Sequence, residues 1–366
     1  ALLNGDQSAE FIIYATRYYE ERRLVFEQSD NLIWKNIFEK IVGVDKEDLN
    51  NKPETPVYSM YFFRRFLAVA SVAVVVLLLA AGAYFWSENK DNKALTLVEA
   101  DTQDIKPGRE GAILTLADGS KVLLDTIHSG TVALQSGVTA KIVNGDLVYE
   151  GAGSEVVFNE VQTPKGRYYH LILPDGSEVW LNSLSSIRYP TSFSGTERRV
   201  EITGEAYFEV AKKQGLPFYV KINDIASVEV LGTHFNINAY SNEGSINTTL
   251  LEGSVKVTGN INQALLKPGQ QARIKDHIDI YDDVDINQVM AWKNGLFDFE
   301  GLSIIEIMRQ LERWYDIDVE FENGVKDNIK FTGGISKRVT LNQLLEALEV
   351  LDIHFQLEGR RLIIKP

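Results

Sequence analysis

The stretch FLAVASVAVVVLLLAAGAYFW occupies residues 66–86 and contains no charged side chain. As an α-helix rising about 1.5 Å per residue it is about 31 Å long, which matches the hydrocarbon core of a bilayer. A buried core helix rarely stays apolar on all sides over such a length, and a cleaved signal peptide has only a short charged start before its apolar core. The stretch therefore predicts a single transmembrane helix over residues 64–87.

The flanks of this stretch agree with a membrane helix. Aromatic residues stand at both ends, as in the interfacial belts of such helices: Tyr61, Phe62 and Phe63 before it, and Tyr84, Phe85 and Trp86 at its close. Within about twenty residues on each side, four Lys or Arg residues precede the stretch and three follow it, with the Arg64–Arg65 pair at its first end. This asymmetry favours a cytoplasmic N-terminus and a large C-terminal part outside.

Composition limits the classes of function. The chain has 366 residues, a formal net charge of −14 and no cysteine. An acidic chain lacks the basic stripe of a general nucleic-acid binder, so we expect no direct contact with nucleic acid. The absence of cysteine excludes disulfide frameworks and cysteine metal sites. The length allows two or three domains besides the membrane helix.

Residues 1–60 show apolar residues at helical spacing and predict a helical segment. A second helix within it carries Trp34, Ile37, Phe38 and Ile41 and ends at Gly43. Sixty residues form a marginal core, so two helices this rich in large apolar side chains leave apolar surface exposed. Such a surface usually marks a partner site. The alternative is a small self-contained helical hairpin that rests on the bilayer.

After residue 93 the pattern changes to alternation of apolar and polar residues with glycine-rich turns. The segment LTLADGSKVLL (residues 114–124) recurs as LILPDGSEVWL (residues 171–181). Alternation on both sides of Asp-Gly predicts two β-hairpins, which we interpret as structural, without a catalytic role for Asp118 or Asp175. We expect an all-β region over residues 94–160 and an all-β domain over 161–275, built as a sandwich, a barrel or a solenoid-like stack.

Residues 288–366 predict a separate α+β domain with the order β-α-β-β-α-β-β. Capping boxes open its two helices, Ser303 with Glu306 and Thr340 with Gln343. The acidic segment 276–287 before it lacks the spacing of an EF-hand. We interpret that segment as a solvated linker and expect no calcium site in it.

No motif in the chain carries chemistry. None of the five histidines stands at ligand spacing from another, and nucleophile-elbow, Walker and dinucleotide-glycine motifs are absent. We therefore expect no catalytic residue, no metal and no cofactor, and we expect that the chain is not an enzyme.

Several sequence words together resemble one known protein family. They are TPKGR (163–167), LPDGSEVWLNS (173–183), RVEITGEAYFEV (199–210), VLGTHFN (230–236) and LEGSV (251–255), and the family that they resemble is FecR. The words WKNG (292–295) and RWY (313–315) resemble a C-terminal module of the Bacteroidota branch, which is similar to the secretin/TonB short N-terminal (STN) fold. The resemblance implies a multidomain fold: a cytoplasmic helical segment, one transmembrane helix, an all-β periplasmic domain that is solenoid-like or a sandwich, and an STN-like α+β C-terminal domain.

The resemblance also implies a role. FecR-like proteins are inner-membrane anti-sigma factors that hold an extracytoplasmic-function sigma factor and sense a TonB-dependent outer-membrane transducer through its STN domain. We expect the same location here, with the N-terminus in the cytoplasm and the C-terminus in the periplasm. The expected sigma-factor contacts are Trp34, Ile37, Phe38 and Ile41.

Two alternatives stay open at the sequence level. The small-residue stretch Ala80, Ala81, Gly82 and Ala83 is a hypothetical site of intramembrane cleavage, or else an ordinary surface for helix packing. The whole protein is a signal transducer, or else a structural envelope tether that binds no sigma factor.

Overall fold

Alternating apolar residues and closely spaced turns make most of the C-terminal two thirds of this chain a β-structure. The computed structural model describes residues 104–366 apart from 127–128, 144, 152–154, 326, 328 and 350–352. These residues all belong to one compact unit, Asp104–Pro366.

The β-domain is the part of this unit that is built from strands β1 to β19. Their bounds are β1 (Arg109–Glu110), β2 (Ile113–Thr115), β3 (Lys121–Leu123), β4 (Gly130–Gln135), β5 (Val138–Val143), β6 (Asp146–Glu150), β7 (Phe158–Thr163), β8 (Arg167–Ile172), β9 (Glu178–Leu181), β10 (Ser185–Pro190), β11 (Arg198–Glu209), β12 (Phe218–Ile222), β13 (Ala226–Val230), β14 (His234–Ala239), β15 (Ile246–Glu252), β16 (Val255–Thr258), β17 (Gln263–Leu266), β18 (Gln271–Ile274) and β19 (Ile278–Tyr281).

The strands form two layers that share one long strand. The first layer has the order β3-β2-β7-β10-β11-β12-β13-β16-β17. The second layer has the order β4-β5-β6-β8-β9-β11-β14-β15-β18-β19. Both layers bury their inward-facing side chains in a single core that includes Val161, Leu171, Ile187, Phe208 and Phe235.

Strand β11 passes from the first layer to the second at Gly204. Its residues before Gly204 pair with β12, and its residues from Gly204 onward pair with β14. Gly204 has φ +74°, and a β-carbon there would clash with Ser185. Gly204 is therefore a bend within one continuous strand, which only glycine fits.

The two predicted Asp-Gly hairpins are confirmed, because β2 pairs with β3 and β8 pairs with β9. Their aspartates have different surroundings. Asp118 is exposed, and its pKa is held below the ordinary value by hydrogen bonds from Ser120. Asp175 is buried and its Oδ2 lies 2.6 Å from Nη1 of Arg198, whose side chain is fully buried. One hairpin therefore sits at the surface and the other anchors an internal ion pair.

The C-terminal module, residues 296–366, follows a short helix, α1 (Ile286–Met290). It contains β20 (Leu296–Asp298), β21 (Leu302–Ser303), α2 (Ile304–Tyr315), β22 (Asp318–Phe321), β23 (Lys330–Phe331), β24 (Gly334–Ser336), α3 (Leu341–Leu348), β25 (His354–Glu358) and β26 (Arg361–Lys365). The strand pairs are β20 with β24 and β21 with β23, and the third sheet has the order β22-β26-β25. The apolar faces of α2 and α3 pack into a second core.

Both predicted capping boxes are confirmed, at the starts of α2 and α3. The segment 276–287 differs from the predicted solvated linker. It forms strand β19, and Asp285 caps α1 by accepting hydrogen bonds from the backbone N–H groups of Asn287 and Gln288. Apolar residues alternate with the acids in this segment, and its backbone pairs with that of β18.

The predicted fold class is wrong for the part of the chain that the structure describes. That part is a β-rich unit with three short α-helices of 5, 12 and 8 residues, and not a helical segment joined to a membrane helix. Within it, no helix combines the length and apolar character that crossing a bilayer requires. The segments predicted as helical, residues 1–60 and 64–87, lie outside the described residues.

Candidate functional site at the junction of the β-domain and the C-terminal module

The outer face of the second layer carries polar side chains where the C-terminal module covers it. Adjacent strands β11, β14, β15 and β18 contribute Glu205, Asn236, Thr249 and Gln271, all of them buried. A buried polar group is costly unless it is hydrogen-bonded, so the partners of these side chains decide what the junction can do.

Glu205 lies at the centre of this face. Its carboxylate accepts hydrogen bonds from the side-chain amides of Asn182 at 2.8 Å, Asn236 at 3.1 Å and Asn238 at 3.4 Å. Burial raises the pKa of Glu205, while the amides of Asn182 and Asn236 and the nearby positive charge of Arg313 oppose the rise. The amides therefore compensate in part for the loss of water around the carboxylate.

Lys337 reaches the same place from the turn between β24 and α3. Its Nζ lies 3.8 Å from the centroid of the Trp314 ring and 3.4 Å from Oδ1 of Asn182. Burial lowers the pKa of Lys337 to about 7, against the attraction of the Glu205 carboxylate. Asn182 thus contacts both a buried acid and a buried base.

Arg313 joins helix α2 to the β-domain. Its guanidinium donates to Oε1 of Glu243 at 2.8 Å and to Oδ1 of Asn242 at 3.2 Å, and it lies 3.9 Å from the centroid of the Tyr240 ring. The side chain is only 7% exposed. A largely desolvated ion pair of this kind fixes the position of the helix on the sheet.

Residues 104–108, here called the linking segment, run along the C-terminal module before the chain enters β1. Ile105 is buried in the core of the module, and its carbonyl accepts a hydrogen bond from the N–H of Leu341 at 2.9 Å. The N–H of Asn342 donates to Oδ1 of Asp104 at 3.2 Å. The start of α3 therefore holds the linking segment directly.

The linking segment then crosses from the module to the β-domain. Gly108 packs on Trp314, and β1 pairs with β8 immediately afterwards. The loop before β8 touches the module too: the N–H of Gly166 donates to the carbonyl of Arg313 at 2.8 Å, and Tyr168 stacks with Trp314 at 5.9 Å between ring centroids. Trp314 thus contacts the linking segment, strand β8 and Lys337.

Among the described residues no cluster of three or more His, Asp or Glu side chains has the arrangement of a metal site. The contacts across the junction include charged pairs such as Arg313 with Glu243 as well as apolar ones, and interfaces with polar contacts within one chain allow relative movement of their two sides. A shift of the C-terminal module would therefore also move the linking segment.

The predicted site residues cannot be compared with this junction. The predicted sigma-factor contacts Trp34, Ile37, Phe38 and Ile41, and the hypothetical cleavage site Ala80, Ala81, Gly82 and Ala83, all lie outside the described residues. Both sets stay predictions.

The polar residues of the junction were not predicted from the sequence. Glu205 gave no signal, because it follows Gly204 directly and a carboxylate beside a glycine is normally exposed. Lys337 gave no signal either, since a lysine outside an apolar pattern is normally exposed.

Comparisons with known proteins agree on one family. Residues 159–256 match the FecR protein family, and residues 296–364 match the C-terminal FecR domain. A comparison with proteins of curated function gives no match.

Solved structures give a second, independent likeness. Two crystal structures of a candidate anti-sigma factor from Parabacteroides distasonis are 29% identical to this chain, each with a TM-score of 0.52. The alignments cover 56% and 57% of this chain and 98% of each solved chain. Because both FecR domains occur in this order and a solved structure has the same fold at this identity, the described part of the chain is built from the domains of the FecR family.

Proposed function

We propose that this chain is an anti-sigma factor and signal transducer. In this proposal its N-terminal residues bind an extracytoplasmic-function sigma factor, and its described unit senses a TonB-dependent outer-membrane transducer through the transducer's STN domain. The proposed location is the inner membrane, with the N-terminus in the cytoplasm and the described unit in the periplasm. The proposal assigns no reaction to the chain.

The match to the FecR family and the likeness to the Parabacteroides distasonis protein support this role. The likeness extends over 98% of a chain described as a candidate anti-sigma factor. It covers 56% of this chain. The proposal puts sigma-factor binding in the N-terminal region.

One structural observation carries the signalling half of the proposal: the C-terminal module holds the linking segment. The segment follows directly on the first 103 residues of the chain, and α3 holds it through Ile105 and Asp104. A partner that moves the module therefore changes the restraint on the residues that join it to the N-terminal region. Binding of a partner to the module can therefore alter the conformation of the residues that precede the linking segment.

Capture from a native lysate tests sigma-factor binding. The full chain, immobilised through a C-terminal tag, should retain an extracytoplasmic-function sigma factor that mass spectrometry identifies. A variant with Trp34→Ala and Phe38→Ala should lose it, because these large side chains supply most of the proposed apolar contact. The matched control is Phe11→Ala with Tyr14→Ala, which alters aromatic residues elsewhere in the same region and should retain it.

The same experiment separates the rival function. A structural tether would capture envelope proteins and no sigma factor. Equal capture by the wild type and the Trp34/Phe38 variant would show that these two residues do not bind the sigma factor. The absence of a sigma factor from both eluates would contradict the anti-sigma role.

A further inference from the structure

The ammonium group of Lys337 lies across the junction, although its backbone is fixed on the side of the C-terminal module. The N–H of Lys337 donates to the carbonyl of Gly295 at 2.9 Å, and its carbonyl accepts from Nε1 of Trp314 at 3.0 Å. Nζ instead contacts the β-domain, 3.4 Å from Oδ1 of Asn182, and the residue is only 5% exposed. Movement of the module away from the second layer would therefore break this contact and expose the ammonium group to water.

Side chains from four parts of the fold surround Nζ. They are Asn182 between β9 and β10, Glu205 on β11, Phe297 on β20, and Arg313 and Trp314 on α2. The cavity between the second layer and the module is lined by further charged side chains of both signs: Glu243, Arg273, Lys275, Asp298 and Glu306. Apart from Lys337 itself, the lining has four acids and three bases. These surroundings therefore supply little net negative charge that would hold an extra proton on the lysine.

A protonated lysine is costly at this place. An ammonium group can donate three hydrogen bonds, and Nζ has one among the described residues, at 3.4 Å. The rings of Trp314 and Phe297, whose centroids are 3.8 and 5.5 Å from Nζ, add only modest attraction for the charge. Burial accordingly lowers the pKa of Lys337 to about 7. Any movement that admits water to Nζ therefore favours the charged form of the lysine.

We propose that the proton on Lys337 controls how firmly the C-terminal module is attached to the β-domain. The protonated side chain weakens the attachment, because its charge is better solvated when the module moves away. The neutral side chain strengthens the attachment, because an amine is buried at lower cost. The linking segment crosses the same junction between α3 and strand β1, so weaker attachment also loosens the restraint on that segment. This response belongs to the described unit and does not depend on sigma-factor binding.

The direction of the response follows from the pKa of Lys337 in two forms of the junction. In the closed form, which is the one described above, this pKa is about 7, and in an open form, with the module moved away, water returns it toward 10.5. Between these values the open form binds the extra proton, so its population relative to the closed form should fall by up to about tenfold for each unit of rising pH. Below about pH 7 both forms bind the proton, and Lys337 adds little further change.

Glu205 acts in the opposite direction and has to be kept constant in the test. Burial raises the pKa of this carboxyl, so its contribution makes the closed form more favourable as pH falls. The test therefore compares the wild type with Lys337→Met, since both carry Glu205. Methionine keeps the length and the apolar contacts of the lysine stem, so this variant should fold.

Hydrogen exchange of the Gly166 N–H in the purified full chain measures the opening of the junction. This N–H donates to the carbonyl of Arg313 at 2.8 Å, from the β-domain to the module, so it exchanges when the module moves away. Mass spectrometry with fragmentation of the peptide around Gly166 gives the exchange rate at about pH 6, 7, 8 and 9, on both sides of the pKa of Lys337. The ratio of the wild-type rate to the Lys337→Met rate at each pH removes the intrinsic pH dependence of exchange. We expect this ratio to fall by about twofold from pH 6 to 7 and by about five- to tenfold for each unit from pH 7 to 9.

Two further variants and one reference segment complete the design. Lys330→Met removes an exposed lysine of the same module, and the ratio of the wild-type rate to its rate should not change with pH. Glu205→Gln removes the opposite charge near Nζ, so the fall should begin at a lower pH when this variant is compared with the same variant carrying Lys337→Met. The amides of β12 report unfolding of the β-domain instead, and Gly166 should exchange faster than they do.

The outcomes decide the proposal in either direction. A ratio that falls above about pH 7, with a lower starting pH in Glu205→Gln, supports it. A flat or rising ratio over the same pH range, or an unchanged starting pH in Glu205→Gln, would overturn it. Exchange of Gly166 at the rate of the β12 amides would overturn it too, because Lys337 would then act only on the unfolding of the whole unit. None of these results changes with the capture of a sigma factor.

Discussion

Gly108 lies so close to Trp314 that a β-carbon on Gly108 would stand 2.8 Å from the indole ring. Real side-chain carbons do not approach this closely, so only glycine allows the linking segment to lie flat on the ring. The indole in turn donates from Nε1 to the carbonyl of Lys337 at 3.0 Å, which fixes its position. The path of the chain into the β-domain thus depends on one side chain of the C-terminal module.

Gly108→Ala should therefore destabilise the described unit. The added methyl group forces the ring or the backbone to move, and overpacking of this kind costs about 1–3 kcal/mol in the free energy of unfolding. Urea unfolding of the full chain, followed by the circular dichroism of the β-structure, measures it. Gly195→Ala is the control, since a β-carbon there meets nothing closer than 3.9 Å. Equal urea midpoints for the two variants would contradict the packing argument.

Asp175→Asn should be far more damaging than Asp118→Asn. Asp175 is the partner of the fully buried Arg198, and removal of one member of a buried ion pair costs about 3–5 kcal/mol because the remaining charge is uncompensated. Asp118 occupies the corresponding place in the exposed hairpin, where the change should have little effect on stability. The urea midpoints of the two variants, measured side by side, check this. Similar midpoints would show that the ion pair is unimportant.

Lys337→Met should change how stability depends on pH. Burial lowers the pKa of Lys337 to about 7 in the folded state, below its ordinary value of 10.5. Between these two values the unfolded chain binds the extra proton and the folded chain does not, so this group makes folding more favourable as pH rises. Below pH 7 the lysine is protonated in the folded and the unfolded chain, so the full cost of burying its charge lowers the free energy of unfolding.

The difference between wild type and Lys337→Met isolates that contribution. From pH 7 to 10.5 the stability of the wild type relative to the variant should rise, with a slope of at most about 1.4 kcal/mol per pH unit. Urea unfolding at a series of pH values measures it. A flat difference over this window would show that the lysine is not desolvated in the folded protein.

Arg313 and Glu243 should be energetically coupled across the junction. A double-mutant cycle with Arg313→Met and Glu243→Gln should give a coupling free energy of about 1–3 kcal/mol, because the pair is close and mostly buried. The cycle of Arg309→Met with Glu243→Gln is the comparison: that pair is longer, at 3.4 Å, and Arg309 is 34% exposed. It should give a smaller value, about 0–1 kcal/mol. Equal coupling in the two cycles would argue against Arg313 as the principal contact.

The local elements of the described unit follow closely from the sequence. Alternation around Asp-Gly located both hairpins, and the Ser303 and Thr340 capping boxes located both module helices, because these signals depend on neighbouring residues alone. The crossing of β11 between the layers at Gly204 could not be located in this way. A glycine with positive φ fits a turn and a bend within a strand equally well, and only the pairing with distant strands shows that this one is a bend.

The junction could not be predicted in the same way. Glu205, Lys337 and Arg313 are separated by long stretches of sequence and meet only when the module packs on the second layer. Charged residues are usually exposed, so sequence patterns assign each of them to solvent. The linking segment was equally invisible, since the contact of Ile105 with Leu341 joins opposite ends of the unit.

In the role that we propose, the C-terminal module controls a sigma factor through the linking segment. The chain has no cysteine, so Asp104→Cys with Asn342→Cys can introduce one disulfide at the place where α3 holds the segment. Ile105→Asp should detach the linking segment from the module, because an unpaired carboxylate is costly in the apolar core where Ile105 lies. The most direct measurement is transcription from a promoter of the captured sigma factor, in cells that produce each variant. Transcription should rise with Ile105→Asp and stay at the uninduced level with the disulfide. Equal transcription in both variants and the wild type, at equal protein levels, would contradict the account.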